Sequence, residues 1–156
     1  MQNRNNLILI LALVLLAFIC AFPLQWFTIA NATTSDGQNI PSLVVNGNNG
    51  SIGLFNLWMP IWLLLVISGA GLIVDFANLA GITTLPRLLP ILLLLIPGAY
   101  YATVVFPLWH MDKPGQQLIP SIGIVLAIVA TLVGVTVTIL SPRPGFHEVP
   151  RRGLAE

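Results

Sequence analysis

Four long apolar runs, separated by polar segments, dominate the pattern of the chain. They cover residues 7–27, 54–74, 88–109 and 118–140, and none of them contains Asp, Glu, Lys or Arg. About 20 helical residues cross a hydrocarbon core of about 30 Å. Because the runs are continuously apolar rather than alternating, they predict helices and not the strands of a barrel. We therefore predict an all-α membrane protein in which residues 1–156 form a single four-transmembrane-helix bundle.

The longest polar segment, residues 28–53, is a loop between the first two predicted helices. It is rich in Asn, Gly, Ser and Thr, and the turn signals Asp36-Gly37 and Asn46-Gly47 flank a short apolar stretch at 40–45. That pattern suits a small hairpin or a cap over the helix ends. Two glycosylation sequons begin at Asn31 and Asn49, and their use depends on the source of the protein.

The composition supports an integral membrane protein. Hydrophobic residues make up 56% of the chain and charged residues 7%, against roughly 25% charged in ordinary soluble domains. The net charge is +1, and we expect no nucleic-acid partner. The single cysteine, Cys20, cannot form an internal disulfide.

The basic residues predict the orientation of the bundle. With both termini in the cytoplasm, five of the six basic residues are cytoplasmic and only Lys113 lies outside, as the positive-inside rule favours; the five are Arg4, Arg87, Arg143, Arg151 and Arg152. The loop at 28–53 is then the outer loop, and the tail at 141–156 is cytoplasmic.

All four tryptophans fall at the outer ends of the predicted helices in this orientation. They are Trp26, Trp58, Trp62 and Trp109. An indole ring suits the headgroup level, where its apolar body and its N–H both find suitable surroundings. We predict that these four residues are interfacial anchors in contact with membrane lipids.

Small and polar residues recur at helical spacing in the second and fourth runs. Such stripes face a neighbouring helix, where backbones approach closely and polar groups find partners. We predict helix packing, within the bundle or against a partner, along two stripes: Ser68, Gly71, Asp75 and Asn78 in the second run, and Gly123, Ala127, Ala130, Gly134 and Thr138 in the fourth.

Two features of the runs carry candidate chemistry. Asp75 is the acidic residue that borders a span, which makes it a candidate ion or proton site. Its position at the cytoplasmic end favours instead contact with water or pairing with Arg87, which follows across a short loop. Pro97-Gly98 predicts a kink in the third helix. The kink could pack against neighbours or open a small cavity for a lipid, a quinone or a pigment.

The segment Trp109-His110-Met111-Asp112-Lys113 is the other candidate site. A neutral imidazole beside an apolar span end is a suitable ligand for haem or a pigment, so His110 is a candidate cofactor-binding residue. The Pro114-Gly115 pair that follows is typical of a turn, however, and favours a connector between two spans. We expect no metal site and assign no cofactor, leaving lipid, haem or pigment as the alternatives.

Trp26 just after the first span and a Gly-rich outer loop leading into Gly53-Leu54-Phe55 are similar to small four-span proteins of the claudin type. They also resemble uncharacterised bacterial four-span proteins, which implies a bacterial inner (plasma) membrane. In the claudin pattern a Trp stands where this chain has Phe55, and two cysteines follow. Here no cysteine follows, and a second span beginning at residue 54 leaves no room for the rest of an extracellular sheet.

We expect a protein that is not an enzyme, because the sequence has no nucleophile–base pair, zinc-binding His motif or phosphate-binding loop. The leading hypothesis is a non-catalytic accessory or structural subunit of a larger membrane complex, such as a respiratory or photosynthetic complex or an oligomeric array. Its partners would be other membrane subunits or further copies of itself. One alternative is a small transporter or channel subunit that uses Asp75 and the Pro97 kink. Another is a claudin-like adhesion or scaffold protein.

Overall fold

A computed structural model describes residues 2–33, 36–54, 57–106 and 117–141. Over these ranges the chain forms four helices: α1 (Gln2–Ala21), α2 (Ile61–Ala80), α3 (Leu88–Val105) and α4 (Ile122–Leu140). It also forms five short strands: β1 (Gln25–Thr33), β2 (Asn39–Asn46), β3 (Ser51–Leu54), β4 (Leu57–Pro60) and β5 (Gln117–Pro120). All four helices are long and apolar enough to cross a membrane, with mean hydropathy between 2.0 and 2.6.

The helices pack as a four-membered ring. Each helix contacts its neighbours in sequence, and α1 closes the ring against α4. Gly81 caps the end of α2, because its φ of 77° places it in the left-handed region that glycine adopts without strain, and residues 81–87 lead from there to α3. Large apolar side chains fill the centre of the ring, among them Leu11, Leu64, Leu72, Leu94 and Ile124.

The strands lie together at one end of this ring. β1 is the central strand of an antiparallel sheet in the order β2-β1-β5, and β3 pairs with β4 in a separate hairpin. Because β1 follows α1, β4 precedes α2 and β5 precedes α4, the strands share the end at which these helices meet them. The turn between α2 and α3 is at the opposite end.

The four predicted helices are present, but the prediction of an all-α protein missed the strands. The predicted spans ran into strand residues: 7–27 enters β1, 54–74 starts in β3, and 118–140 starts in β5. These strand residues are apolar, and hydropathy alone does not separate a short apolar strand from the end of an apolar helix. The predicted start of the second span at residue 54 was wrong for the same reason, since α2 begins at Ile61.

Trp26 joins the strands to the helices. The register of β1 against β2 shifts between Gln25 and Phe27, so Trp26 is an extra residue in β1, a bulge that redirects its side chain. The indole is fully buried, its Nε1 donates to the Ala21 carbonyl at 2.8 Å, and its ring lies 5.4 Å from that of Tyr101. The Trp26 carbonyl accepts a hydrogen bond from the Ser121 N–H at 2.9 Å, just before α4.

Gly123 lets the first turn of α4 approach this junction. A Cβ at Gly123 would lie 2.8 Å from the Gln25 carbonyl oxygen and 3.0 Å from Trp26 Cδ1, which is too close for a side chain next to backbone. Gly123 was predicted to pack α4 against another helix, and it instead packs α4 against β1.

Gly123→Ala is expected to lower the free energy of unfolding by about 1–3 kcal/mol, because the added methyl group overpacks the junction. Gly69→Ala is the matched control, since a Cβ there meets only the Leu15 Cδ1 atom, at 3.7 Å. We expect it to be neutral or stabilising, through helix propensity. Denaturant unfolding in a mild detergent measures both variants, and equal stabilities would contradict the junction described above.

Candidate functional sites: a buried carboxylate and an apolar groove

The two predicted stripes of small and polar residues are buried inside the bundle. On α2, Ser68, Asp75 and Asn78 are at most 8% exposed. A Cβ at Gly71 would lie 3.0 Å from Leu93 Cβ, and one at Gly134 would lie 3.2 Å from Leu72. Ala127 and Ala130 are buried as well. These residues therefore bring α2, α3 and α4 of this chain together.

Asp75 is buried between α2 and α4 rather than in contact with water. Its side chain is 2% exposed, and its Oδ2 lies 3.1 Å from Thr138 Oγ1 on α4. The same Thr138 hydroxyl donates to the Gly134 carbonyl at 2.9 Å. The predicted contact of Asp75 with water was wrong, because α4 packs over this face of α2.

Arg87 does not hydrogen-bond to Asp75, although its charge attracts the carboxylate. Its guanidinium donates to the carbonyl oxygens of Ile139, at 3.4 Å, and Ser141. The last carbonyls of a helix have no partner within the helix and carry partial negative charge. Arg87 thus bonds to the carbonyl end of α4 instead of forming the predicted pair with Asp75.

Asn78 holds the turn between α2 and α3. Its Oδ1 accepts hydrogen bonds from Thr83 Oγ1 at 2.9 Å and from the Leu85 N–H at 3.0 Å. Its Nδ2 donates to the Leu85 carbonyl at 3.2 Å. One buried amide therefore satisfies three polar groups of a turn that has no regular secondary structure.

A second polar pair lies nearer the strands. The Tyr101 hydroxyl is 3.2 Å from Ser68 Oγ, which also donates to the Leu64 carbonyl at 3.0 Å. Pro97 is buried within α3, and a Cβ at the adjacent Gly98 would lie 3.0 Å from Thr131 Cγ2 on α4. The residues around the predicted kink therefore pack against neighbouring helices, and the kink itself stays a prediction.

An open apolar groove of about 710 Å³ lies between α1 and α2, on the outside of the ring. Its lining on α1 is large and apolar: Leu15, Phe18, Ile19 and Phe22. On α2 the small residues Gly69 and Ala70 line it together with the large apolar residues Trp62, Leu65, Val66 and Ile73. Sequence reasoning missed this groove, because α1 from Leu7 onward is apolar on every face and shows no stripe that would mark a contact surface.

The predicted aromatic anchors divide into different environments. Trp58 and Trp62 are exposed, at 59% and 48%, as contact with lipid requires. Trp26 is not an interfacial anchor, because it is fully buried in the protein. Trp109 and His110 lie outside the described residues, so their predicted roles as anchor and as haem or pigment ligand stay predictions. Within the described ranges, no group of three or more His, Cys, Asp or Glu residues could hold a metal ion.

Comparison with known proteins found no matching family model, no matching curated protein and no matching solved structure.

Asn78→Ala is expected to remove about 1–3 kcal/mol of local stability from the turn at 82–86, because three hydrogen bonds are lost and the Leu85 N–H loses its partner. Hydrogen–deuterium exchange by mass spectrometry should show faster exchange of this turn and unchanged exchange of β1. Asn48→Ala, in the exposed turn after β2, is the control and should leave 82–86 unaffected. Unchanged exchange at 82–86 in Asn78→Ala would refute the role given to this amide.

Proposed function

We propose that the protein is a non-catalytic subunit of a larger membrane assembly and that it binds a partner's transmembrane helix in the groove between α1 and α2. The observation that carries this proposal is the shape and chemistry of the groove. It lies on the outside of the ring, between two helices long enough to span a membrane. Its occupant therefore comes from within the bilayer.

The small residues Gly69 and Ala70 in the lining of the groove favour a helix as its occupant. Association in lipid depends on close packing rather than on hydrophobic burial, and small residues let two backbones approach. Ser68 and Gly71 face inward on α2, whereas Ala70 is exposed and Gly69 is half-buried on the other side of the same turn. The small residues Ser68 and Gly71 thus pack inside the bundle, whereas the small residues Gly69 and Ala70 are left to contact a partner.

The orientation in this proposal has both termini in the cytoplasm of a bacterial cell, with the strands outside the inner membrane. Its support is the distribution of charge over the described residues. Arg4 lies in the first turn of α1 and Arg87 precedes α3, and both helix ends lie opposite the strands. Basic residues favour the cytoplasmic side. Trp58 and Trp62, at the strand end of α2, then lie near the outer headgroups.

Ala70→Leu is expected to reduce the amount of bound partner at least tenfold, which corresponds to about 1.4 kcal/mol, because the larger side chain in the groove lining prevents close approach of the partner's backbone. Native mass spectrometry of the protein extracted from its own membranes measures the partner and its stoichiometry. Ala99→Leu, the same change at an exposed position on α3 that does not line the groove, is the matched control and should keep the partner.

Two results would contradict this proposal. One is a single chain carrying only lipid in the wild-type preparation. The other is a partner that is bound equally by Ala70→Leu and wild type. A complex of identical chains that is lost in Ala70→Leu would identify the partner helix as one from a second copy.

A further inference from the structure

The buried carboxyl of Asp75 and the carbonyl of Gly134 both contact the same hydroxyl group, that of Thr138, which has a single proton. Thr138 Oγ1 lies within hydrogen-bond distance of two oxygen atoms, Gly134 O at 2.9 Å and Asp75 Oδ2 at 3.1 Å. A hydroxyl group has one proton to donate and two lone pairs that accept. If Asp75 were ionised, the single Thr138 proton would have to serve both oxygen atoms, which weakens each of the two contacts.

The other helical hydroxyls of the bundle show where the Thr138 proton goes. Ser68, Thr131, Thr136 and Ser141 each donate to the carbonyl four residues earlier, at 2.7–3.0 Å. This bond is a common local partner for Ser and Thr in a helix. Thr138 makes the same bond to Gly134, which leaves its lone pairs for Asp75.

We propose that Asp75 is a proton-binding site whose carboxyl group is held protonated at neutral pH, donating its proton from Oδ2 to Thr138 Oγ1. The proton chain then runs from Asp75 to Thr138 to the Gly134 carbonyl, and every contact has one proton. The pair formed by Tyr101 and Ser68 has the same form: Ser68 donates to Leu64, so the Tyr101 hydroxyl donates to Ser68.

The surroundings of the carboxyl favour this neutral form. An ionised carboxylate inside a membrane bundle is costly unless a cation or several donors compensate it. At this end of the bundle, the charged groups among the described residues are Arg4, exposed at the start of α1, and Arg87. Arg87 donates its described hydrogen bonds to carbonyls of α4, and the facing part of α4 offers only Thr138.

Release of the proton would change the contact between α2 and α4. The proton leaves Asp75 Oδ2 for water, and the carboxylate that remains can be bonded by Thr138 only if Thr138 gives up Gly134. Arg87 is the described cation that can neutralise the new charge, which requires its guanidinium to leave the end of α4. Proton binding at Asp75 is thus coupled to the position of Arg87 and to the packing of α4.

Infrared spectroscopy of the purified protein in lipid bilayers tests the site, because a protonated carboxyl has a carbonyl stretch that a carboxylate lacks. We expect this band in the wild type at pH 7, its loss in Asp75→Asn and its retention in Asp36→Asn, which changes an exposed acid. Thr138→Val should keep the band but shift it to higher frequency, since the acid loses its acceptor. Raising the pH should remove the band as the proton is released.

Absence of a protonated-carboxyl band from the wild type at pH 7 would overturn the proposal, and so would a band that persists in Asp75→Asn. The wild-type spectrum decides the first point even if a variant does not fold. Circular dichroism checks folding of Asp75→Asn, which we expect to be native because the Asn amide can donate to Thr138 in place of the acid. The outcome does not depend on whether a partner helix binds the groove.

Discussion

The indole of Trp26 occupies the position on which the arrangement of helices and strands depends. It lies one short turn after α1, in the bulge of β1, and contacts three other parts of the chain: the end of α1 through its N–H, α3 through the Tyr101 ring, and α4 through Gly123. A large aromatic side chain contributes much buried area, and its single donor needs a partner when it is buried. The Ala21 carbonyl, at the end of a helix, is an acceptor that the helix itself leaves open.

Between this junction and the opposite end, the interior of the bundle follows one constraint: a polar group buried among apolar helices needs a hydrogen-bond partner inside the protein. Among the described residues, no buried side-chain nitrogen or oxygen lacks a hydrogen-bond partner. The hydroxyls of Ser68 and Thr138 bond within their own helices and also link to Tyr101 and Asp75 on others. Polar pairs thus connect α2 to α3 near the strands and α2 to α4 at the opposite end, and each helps to set which faces of the helices meet.

The sequence predicted the four helices and the inward faces of α2 and α4 because both depend on local patterns. Long apolar runs identify spans, and Ser68, Gly71, Asp75 and Asn78 recur at helical spacing. The strands were only hinted at, by turn signals around residues 40–45, because their apolar residues continue the hydropathy of the spans. The burial of Trp26 depends on contacts with Tyr101 and Gly123, which are distant in sequence. The hydrogen bonds of Arg87 to the end of α4, in place of the expected pair with Asp75, likewise require the packed bundle.

The burial of Trp26 is tested most directly by fluorescence quenching in bilayers whose lipids are brominated near the headgroup end of the acyl chains. One variant retains only Trp26 and another retains only Trp58, with the remaining tryptophans replaced by phenylalanine. Strong quenching is predicted for Trp58, which is 59% exposed and does not line the groove, and severalfold weaker quenching for Trp26, which is fully buried. Equal quenching of the two would place Trp26 at the lipid interface and would contradict its role as the junction between strands and helices.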